Sequence, residues 1–350
     1  ADSKSLIVGG HIETGVGLWQ LPTAGGPPKR LDLDGIDPWW SFWLDVTTSA
    51  NGAIAFTGFT STQPRELYYM AAADAKPRRL THFNDGIAAL ELGKSERIAW
   101  EFESHREDGV LVYPADFDPA KKYPLVLYIH GGPRASSTVG FSTIPQLLAA
   151  QGWVVFQPNY RGSDNLGQAY AMAINRDAGA GPGRDVIAGL DLVKRKGCID
   201  ETRIAVGGWS YGGFMTTWLI GNYPTVFKAA VAGAPVTNWM DQYTLGDANV
   251  RRAQAFGGSP YTDEARLKEY LAQSPITYAA RVKAPTLLMS DVGDFRVPIT
   301  QSYQFYHALC DNGVTTRFFA YPVSGHSPED PVHAADITRR YVDWFTTYLK

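Results

Sequence analysis

Gly208-Trp209-Ser210-Tyr211-Gly212 lies between residues 203–208, a run typical of a short buried strand, and residues 214–222, a run typical of a helix. A sharp turn from a strand into a helix holds a serine at its apex in a sparsely populated backbone conformation. Larger side chains two positions away would collide there, which accounts for Gly208 and Gly212. The flanking runs matter, because Gly-x-Ser-x-Gly also arises by chance in a chain with 35 glycines. The stretch predicts that Ser210 is a catalytic nucleophile beside the free N–H groups of a helix N-terminus.

Strand-like and helix-like runs alternate after the first quarter of the sequence. The strand-like runs are residues 98–102, 110–113, 125–129, 153–156, 204–206, 229–232, 286–289 and 317–320. The helix-like runs are residues 144–151, 183–196, 214–222, 301–312 and 333–349. Alternation of this kind implies a mainly parallel sheet with right-handed crossovers. Eight strands with the sharp turn after the fifth predict the α/β class and, within it, the α/β-hydrolase fold over residues 96–350.

Residues 1–95 differ from the rest and predict a separate region of short β-strands. Residues 18–31 and 67–80 resemble each other, because each has an apolar run, a turn and then Pro-Lys/Arg-Arg-Leu. A repeat of about fifty residues is typical of β-propeller blades. Two blades cannot close a ring of about four to eight. We therefore expect a partial β-propeller, which is either completed by residues outside this sequence or reduced to a remnant; an ordinary antiparallel β cap is the alternative.

A serine hydroxyl becomes a good nucleophile only when a base takes its proton. The histidines that follow Ser210 in the sequence are His307, His326 and His333. His307 falls inside a helix-like run, and His333 falls at the start of the last one. His326 instead falls in the loop after the last predicted strand, where a side chain can reach the serine from the carboxyl edge of the sheet. The sequence therefore predicts His326 as the base.

The acid that orients this imidazole should lie between Ser210 and His326, because partners on this fold follow the order serine, acid, histidine. Asp294 follows the strand-like run 286–289 by a short loop, at the same edge of the sheet. Asp291 is the close competitor, and its structural role would be to form an Asx-turn. We favour Asp294 as the acid, with Asp291 as the alternative.

Two preorganised donors are needed to stabilise the oxyanion of an acyl-transfer reaction. One is expected to be the backbone N–H of Tyr211, next to the nucleophile. The other is expected from His130-Gly131-Gly132-Pro133, the loop after the third strand. The Gly132 N–H is favoured, because glycine lets the backbone approach a substrate closely. His130 could serve as a second base, but a role in supporting the loop is favoured.

The composition limits the partners and the compartment. The 350 residues carry a formal net charge of −3, which argues against nucleic acid as the main partner. No apolar run is long enough to span a bilayer, so a soluble protein of the cytoplasm or periplasm is expected. Cys198 and Cys310 predict no disulfide framework, and the seven histidines form no zinc signature, so neither metal nor organic cofactor is expected. The sequence shows no initial methionine and no visible leader, which leaves a removed leader or an excised fragment open.

Several motifs together are similar to those of one family. They are residues 130–133 (His-Gly-Gly-Pro), 159–163 (Asn-Tyr-Arg-Gly-Ser), 208–213 (Gly-Trp-Ser-Tyr-Gly-Gly) and 294–298 (Asp-Phe-Arg-Val-Pro). On these motifs the chain resembles the prolyl oligopeptidase family of serine peptidases over residues 97–350. The N-terminal part resembles the last propeller blades that precede the catalytic domain in that family. The resemblance implies cleavage of short peptides, with a propeller that limits access by folded proteins.

Within the family, the chain looks closest to the acylaminoacyl-peptidase-like and dipeptidyl-peptidase-like bacterial branch, and lasso peptide isopeptidases are similar in this domain as well. Prolyl oligopeptidase and dipeptidyl peptidase IV have a tyrosine at the position of His130, so the resemblance implies a backbone oxyanion donor here. It also implies that Arg296 binds substrate carbonyl groups, with a structural salt bridge as the alternative. Trp239 and Tyr243 are expected either to line a hydrophobic primary pocket or to pack in the core. Ser290-Asp291 replaces the family's usual His-Gly, which keeps Asp291 open.

Together these features predict a serine peptidase that cleaves amide bonds through a Ser210–Asp294–His326 triad and an acyl-enzyme. A carboxylesterase with the same triad is the first alternative. An isopeptidase that acts on a modified peptide and a non-catalytic binding protein are the others. The expected partner is a short peptide. Exposed strand edges of a partial propeller would also favour association with a propeller fragment or with a second copy.

Overall fold

The computed structural model describes residues 4–40 and 43–350, and the N-terminal part of the chain forms two small antiparallel sheets. The first contains β1 (Ser5–Ile12), β2 (Gly15–Pro22) and β3 (Lys29–Arg30). The second contains β4 (Asp37–Pro38), β5 (Val46–Thr48), β6 (Ile54–Phe59), β7 (Glu66–Met70) and β8 (Arg78–Arg79). A small core combines buried side chains of this region: Leu18, Leu31, Leu33, Ile54, Phe56, Tyr68 and Met70. The N-terminal β region predicted from the sequence is confirmed.

The two similar segments, residues 18–31 and 67–80, fold in the same way. Trp19 lies opposite Arg30 in the β2–β3 ladder, and Tyr68 lies opposite Arg79 in the β7–β8 ladder. Each segment is thus a hairpin in which an aromatic residue pairs with the second basic residue of Pro-Lys/Arg-Arg-Leu. This equivalence supports a structural repeat, and the partial β-propeller stays a prediction.

The chain from Ser95 onward forms the largest sheet, which has eight strands among the described residues. In chain order they are β9 (Ser95–Phe102), β10 (His105–Val112), β11 (Tyr123–Ile129), β12 (Val154–Asn159), β13 (Ile199–Trp209), β14 (Ala229–Gly233), β15 (Thr286–Gly293) and β16 (Thr316–Ser324). Their order across the sheet is β9-β10-β12-β11-β13-β14-β15-β16, with β10 antiparallel to both neighbours and the later pairs parallel. The predicted α/β-hydrolase fold is confirmed, with the sharp turn after the fifth strand of this sheet. The division of the chain into residues 1–95 and 96–350 stays a prediction.

Helices cover both faces of this sheet. The helices of the described residues are α1 (Asp85–Ala88), α2 (Thr143–Ala149), α3 (Gln168–Met172), α4 (Ala180–Arg195), α5 (Tyr211–Asn222), α6 (Trp239–Leu245), α7 (Asn249–Phe256), α8 (Glu264–Ala272), α9 (Thr300–Asp311) and α10 (Pro331–Tyr348), with a 3₁₀ helix at Pro275–Arg281. Leu125 and Leu127 of β11 belong to the core under α4, α5 and α9, whereas Val126 belongs to the core under α2 and α10. Burial on both faces explains why β11 is apolar throughout. None of the helices in the described ranges is long and apolar enough to cross a membrane.

The short helices between β14 and β15 were not predicted from the sequence. Helices α6, α7 and α8 have only seven, eight and nine residues. A helix of about two turns shows too little of the 3.6-residue period to be recognised from its apolar positions. Trp239 of α6 contacts Phe214 of α5, the helix that begins directly after Ser210.

The N-terminal region packs directly on loops of the large sheet. His11 Nδ1 lies 2.7 Å from Asp164 Oδ1, and the Ser136 hydroxyl donates to the same oxygen at 2.7 Å. The Glu13 N–H donates to the Asn165 carbonyl at 3.1 Å. His11 and Glu13 thus tie the β1–β2 hairpin to the loop after β12, and Ser136 joins that loop to the loop after β11.

Candidate active site

Ser210 makes the turn between β13 and α5. Strand β13 ends at Trp209 and α5 begins at Tyr211, so a single residue joins them. Its φ of 62° and ψ of −120° are unfavourable for a residue with a side chain, at a cost of about 1–3 kcal/mol. The Ser210 N–H donates to the Gly233 carbonyl at 2.8 Å, which helps to hold this conformation. Strain of this kind clusters at functional sites, where the surrounding structure enforces it.

Gly208 and Gly212 leave room for this turn. A Cβ built on Gly208 would lie 2.4 Å from the carbonyl oxygen of Ile129, and one on Gly212 would lie 2.1 Å from the same atom. Both distances are far below van der Waals contact, so a larger residue would push the turn away from β11. Close packing of the turn on β11 therefore explains both glycines.

Hydrogen bonds connect Ser210, His326 and Asp294. The Ser210 Oγ lies 2.7 Å from His326 Nε2, and His326 Nδ1 lies 2.7 Å from Asp294 Oδ2. His326 sits in the loop between β16 and α10, and Asp294 directly follows β15. The structure thus brings the three sequence-predicted residues together at the carboxyl edge of the sheet. The arrangement has the geometry in which a histidine can take the proton of a serine.

The carboxylate of Asp294 is held in one orientation by the backbone. Its Oδ1 accepts the N–H groups of Arg296 at 2.8 Å and Val297 at 2.9 Å. The Asp294 side chain has no exposed surface. Donors to one oxygen leave the other oxygen directed at His326.

Asp291, the alternative acid, lies inside β15, opposite Tyr321 of β16. It is fully buried, and neither of its carboxylate oxygens has a hydrogen-bond partner among residues 4–40 and 43–350. Burial, reinforced by the charge of Asp294, raises the pKa of Asp291 to about 6. The structure therefore connects Asp294 to His326 and leaves Asp291 as a buried carboxyl group beside the triad.

The other two histidines after Ser210 have different neighbours. His307 is exposed on α9, where its ring lies 5.5 Å from that of Tyr306. His333 lies in the first turn of α10, with its Nδ1 2.8 Å from Oδ2 of the helix-capping residue Asp330. Both positions agree with the helical locations predicted for these residues.

Trp209, inside the turn motif, holds the backbone of His326. Its indole Nε1–H donates to the His326 carbonyl oxygen at 2.8 Å. The ring lies against Gly233, where a Cβ would come within 2.0 Å of it. Nothing in the motif indicates this bond, apart from the general need of a covered indole N–H for an acceptor. The contact of Trp209 with His326 is thus one that sequence reasoning missed.

The loop after β11 lies against the nucleophile. A Cβ built on Gly131 would lie 3.3 Å from the Cβ of Ser210. Gly132 has a φ of +119°, which favours glycine, and its peptide bond to Pro133 is cis. Tyr211 is the first residue of α5, so its N–H has no helical carbonyl one turn earlier to bond. Both predicted oxyanion donors, Gly132 and Tyr211, therefore lie on segments that adjoin Ser210, and their donor role stays a prediction.

His130 is held at the base of this loop. Its Nε2 lies 3.0 Å from the Ser163 hydroxyl, and its Nδ1 lies 2.8 Å from the Gly131 carbonyl. The ring stacks on Tyr160 with 4.5 Å between centroids. Burial lowers the pKa of His130 to about 4, so the ring is neutral at neutral pH. Because both ring nitrogens have partners, the contacts favour a supporting role over that of a second base.

Arg296 forms an ion pair with Asp247. Its Nε lies 2.7 Å from Asp247 Oδ1, and its Nη2 lies 3.1 Å from Oδ2. The Arg296 carbonyl accepts from the Gln242 side chain at 2.6 Å. A paired contact of this type fixes the plane of the guanidinium. The structural salt bridge expected as the alternative is present, and binding of substrate carbonyl groups stays a prediction.

Trp239 and Tyr243 differ in their surroundings. Trp239 is 3% exposed, and its ring lies 5.2 Å from Phe214 of α5 and 5.2 Å from Phe256. Tyr243 is half-buried, with its ring 6.0 Å from that of Tyr261. Trp239 is therefore mainly a core residue beside the helix that follows Ser210. For both residues the pocket role stays a prediction.

Comparisons with known proteins identify the family to which the chain is similar. The model of the prolyl oligopeptidase family matches residues 139–350, which include Ser210, Asp294 and His326. The human acylamino-acid-releasing enzyme is 31% identical over 97% of this chain, and dipeptidyl-peptidase 5 of Porphyromonas gingivalis is 32% identical over 100% of it. The solved structure of Pyrococcus horikoshii acylaminoacyl peptidase has a TM-score of 0.86 at 25% identity, with 99% of this chain and 54% of that chain covered. The chain spans 46% of the length of the human relative and 51% of that of the P. gingivalis relative.

Proposed function

Because the chain belongs to the prolyl oligopeptidase family, we propose that it is a serine peptidase that hydrolyses amide bonds of short peptides. The hydrogen bonds from Ser210 to His326 and from His326 to Asp294 carry this proposal. A nucleophile, a base and an acid that orients the base are the groups that acyl transfer to water requires. Their position at the carboxyl edge of the sheet leaves the reacting hydroxyl at the end of a strand, where substrates bind on this fold.

Acylation begins when Ser210 Oγ attacks the carbonyl carbon of the scissile amide. His326 Nε2 accepts the hydroxyl proton as the new C–O bond forms, and the carbonyl oxygen becomes an oxyanion. His326 then donates that proton to the amide nitrogen, the C–N bond breaks and the amine leaves. An ester between Ser210 and the acyl part of the peptide remains.

Deacylation repeats these steps with water. His326 takes a proton from the water as the water oxygen attacks the ester carbonyl, and the proton passes to Ser210 Oγ when the ester bond breaks. The products are a free carboxylic acid and the original hydroxyl. Asp294 accepts the Nδ1–H throughout, which keeps Nε2 directed at Ser210 and stabilises the imidazolium that forms in each step.

The oxyanion would be stabilised by the backbone N–H groups of Tyr211 and Gly132. The first belongs to the free donors at the start of α5, and the second to the loop that adjoins Ser210. One such donor typically contributes a factor of about 10²–10³ in kcat. The neutral, anchored His130 would hold this loop in place without taking part in proton transfer.

Arg296, Trp239 and Tyr243 are the residues proposed to contact the peptide. The ion pair with Asp247 fixes Arg296 through Nε and Nη2, so its Nη1 is the group left for a substrate carbonyl. Arg296→Ala should then reduce peptide cleavage more than cleavage of a simple ester. Equal reductions would assign Arg296 a structural role only.

The test is hydrolysis of a small chromogenic panel by wild type and by Ser210→Ala. The panel holds an N-acetyl-alanyl anilide, an alanyl-prolyl anilide, a blocked glycyl-prolyl anilide and a short-chain nitrophenyl ester. Ser327→Ala is the matched control, because Ser327 lies in the His326 loop and is exposed. Anilide cleavage that falls by more than about 10³-fold in Ser210→Ala but persists in Ser327→Ala is the expected result.

The same panel separates the alternatives. Cleavage of the ester without any anilide would contradict the peptidase proposal and favour a carboxylesterase. Failure of a serine-directed phosphonate to label Ser210 would favour a binding protein on a hydrolase scaffold.

A further inference from the structure

Arg252 is a cation near the active site that the mechanism does not use. It lies on α7, which begins two residues after Asp247, the ion-pair partner of Arg296. The Asp247 N–H donates to the Phe295 carbonyl at 2.9 Å, in the segment directly after Asp294. This bond ties the start of α7 to the loop that carries the acid. The charges of Arg296 and Asp247 both act on Arg252, so its side chain lies near this ion pair.

The Arg252 side chain is packed on one side and has no anionic partner. Its guanidinium carbon lies 5.5 Å from the centroid of the Trp239 ring. Its Nε is buried without an acceptor, and the side chain forms no ion pair with any residue that the structure describes. Burial, reinforced by the charge of Arg296, lowers the pKa of Arg252 to about 10, so the group stays charged at neutral pH.

Asp247 attracts Arg252, but its ion pair is with Arg296. Arg296 contacts both carboxylate oxygens of Asp247, at 2.7 and 3.1 Å. Two guanidinium groups and one carboxylate leave one positive charge without a counterpart. Arg266, which is also half-buried, is instead paired with Glu269 at 2.7 Å. Partial burial of an unpaired charge costs free energy until an anion joins it.

We propose that Arg252 binds a carboxylate of the peptide substrate; the proposal rests on the peptidase function above and specifies its substrate class. A guanidinium binds a carboxylate through two parallel hydrogen bonds. The terminal nitrogens are available for this, since Nε is covered and Trp239 supports one face of the group. The carboxylate belongs either to an acidic side chain or to the free C-terminus of a short peptide, and both present the same pair of oxygens.

Two matched pairs of substrates distinguish these sources. The first pair is a set of blocked peptide anilides that differ only by Glu against Gln at one position. The second is a short peptide with a free C-terminal carboxylate against the same peptide with a C-terminal amide. The ratio of kcat/KM within each pair is measured for wild type, Arg252→Gln and Arg251→Gln. Arg251 is the exposed neighbour on α7, so its variant controls for the loss of one positive charge.

Wild type should prefer the carboxylate in one pair by about tenfold, which corresponds to about 1.4 kcal/mol. Arg252→Gln should reduce that ratio to about one, and Arg251→Gln should preserve it. Arg252→Glu should reverse the ratio. Wild type without a preference in either pair, or a preference that survives in Arg252→Gln, would overturn the proposal. If Arg252→Gln does not melt cooperatively, Arg252→Lys replaces it in the experiment. Lysine keeps the charge but lacks the planar pair of donors, so this variant should also lower the ratio.

Binding of the same peptides to Ser210→Ala, measured by calorimetry, separates this proposal from the peptidase proposal. If the peptide with the carboxylate binds about tenfold more tightly than its matched partner, and only when Arg252 is present, the carboxylate site is supported even if no substrate is cleaved. Cleavage that depends on Ser210 without any effect of the carboxylate on binding or rate supports the peptidase and refutes the role of Arg252.

Discussion

Replacing Asp291 with asparagine is expected to stabilise the protein at neutral pH and to lose this effect in acid. Burial raises the pKa of Asp291 to about 6, from an ordinary value of 3.8. The folded state therefore binds the Asp291 proton more tightly than the unfolded state does. The stability that this proton contributes is fully present below pH 3.8 and is lost as the pH rises through about 6. Two pKa units correspond to about 3 kcal/mol, since one unit corresponds to about 1.4 kcal/mol.

The measurement is the free energy of unfolding in urea for wild type and Asp291→Asn, from about pH 4 to about pH 8. Asparagine does not titrate, so the variant's advantage over wild type should grow by about 3 kcal/mol across this window and then level off. Any constant offset reports how well the amide packs in place of the carboxyl group. Only the change of the difference with pH tests the buried charge.

Asp330 supplies a control with the opposite sign. The backbone N–H of His333, followed by its side chain, lowers the pKa of Asp330 at the start of α10. Its contribution is therefore present above pH 3.8 and is lost only as the pH falls below that value. Asp330→Asn should destabilise by a constant amount across this window, and the destabilisation should shrink only when the series is extended below it. A difference for Asp291→Asn that stays flat, or that falls as the pH rises, would refute the assignment of an unpartnered buried carboxylate.

Three further changes probe the active site. Trp209→Phe keeps a ring but removes the donor to the His326 carbonyl. Because one hydrogen bond contributes about 1 kcal/mol, kcat/KM should fall about three- to tenfold, with the melting temperature nearly unchanged. An unaltered kcat/KM would show that the bond is dispensable. Gly212→Ala places a Cβ 2.1 Å from a backbone oxygen, so phosphonate labelling of the nucleophile should be lost, whereas Gly86→Ala, which has open space, should label normally. Asp294→Asn should lower kcat by about 10³–10⁴ with the fold intact, and a loss below tenfold would contradict its role as the acid.

The large sheet and its sharp turn were predictable because their signals are local and strong. Strands that are covered on both faces appear in the sequence as continuous runs of apolar residues. The strand, turn and helix around Ser210 need glycines at two fixed positions. The family resemblance drawn from the motifs is confirmed by the family match over residues 139–350. Segment ends were less certain: β15 runs from Thr286 to Gly293, four residues beyond its predicted end.

That boundary gives the two candidate acids different surroundings, which favour Asp294. Because β15 continues to Gly293, Asp291 lies within the strand and Asp294 is the first residue after it. A loop residue can receive the backbone N–H groups of Arg296 and Val297 and turn its other oxygen to His326. Composition and spacing do not specify where a strand stops to within two or three residues, so the sequence alone left both acids open.

The contacts around the site could not be predicted from the sequence for a different reason. The bond from Trp209 to the His326 carbonyl joins residues that are far apart in sequence, and no periodic pattern records such a pair. In the sequence, nothing distinguishes Arg252 from the other basic residues. Its special position appears only in the structure, where α7 brings its side chain against Trp239. These features depend on how short helices pack, which the apolar pattern of α6, α7 and α8 does not reveal.

Because Asp164 connects the N-terminal β region to loops of the large sheet, the two regions are not independent modules. Its Oδ1 is shared by His11, from the N-terminal hairpin, and by Ser136, in the loop that also carries Gly132. A shorter chain that begins at β9 would lose the contact between His11 and Asp164 and keep only Ser136 as a partner of that oxygen. Domain shuffling would meet the same obstacle, because a foreign β region must supply an equivalent of His11. We therefore expect the two regions to stay together, both in evolution and in protein engineering.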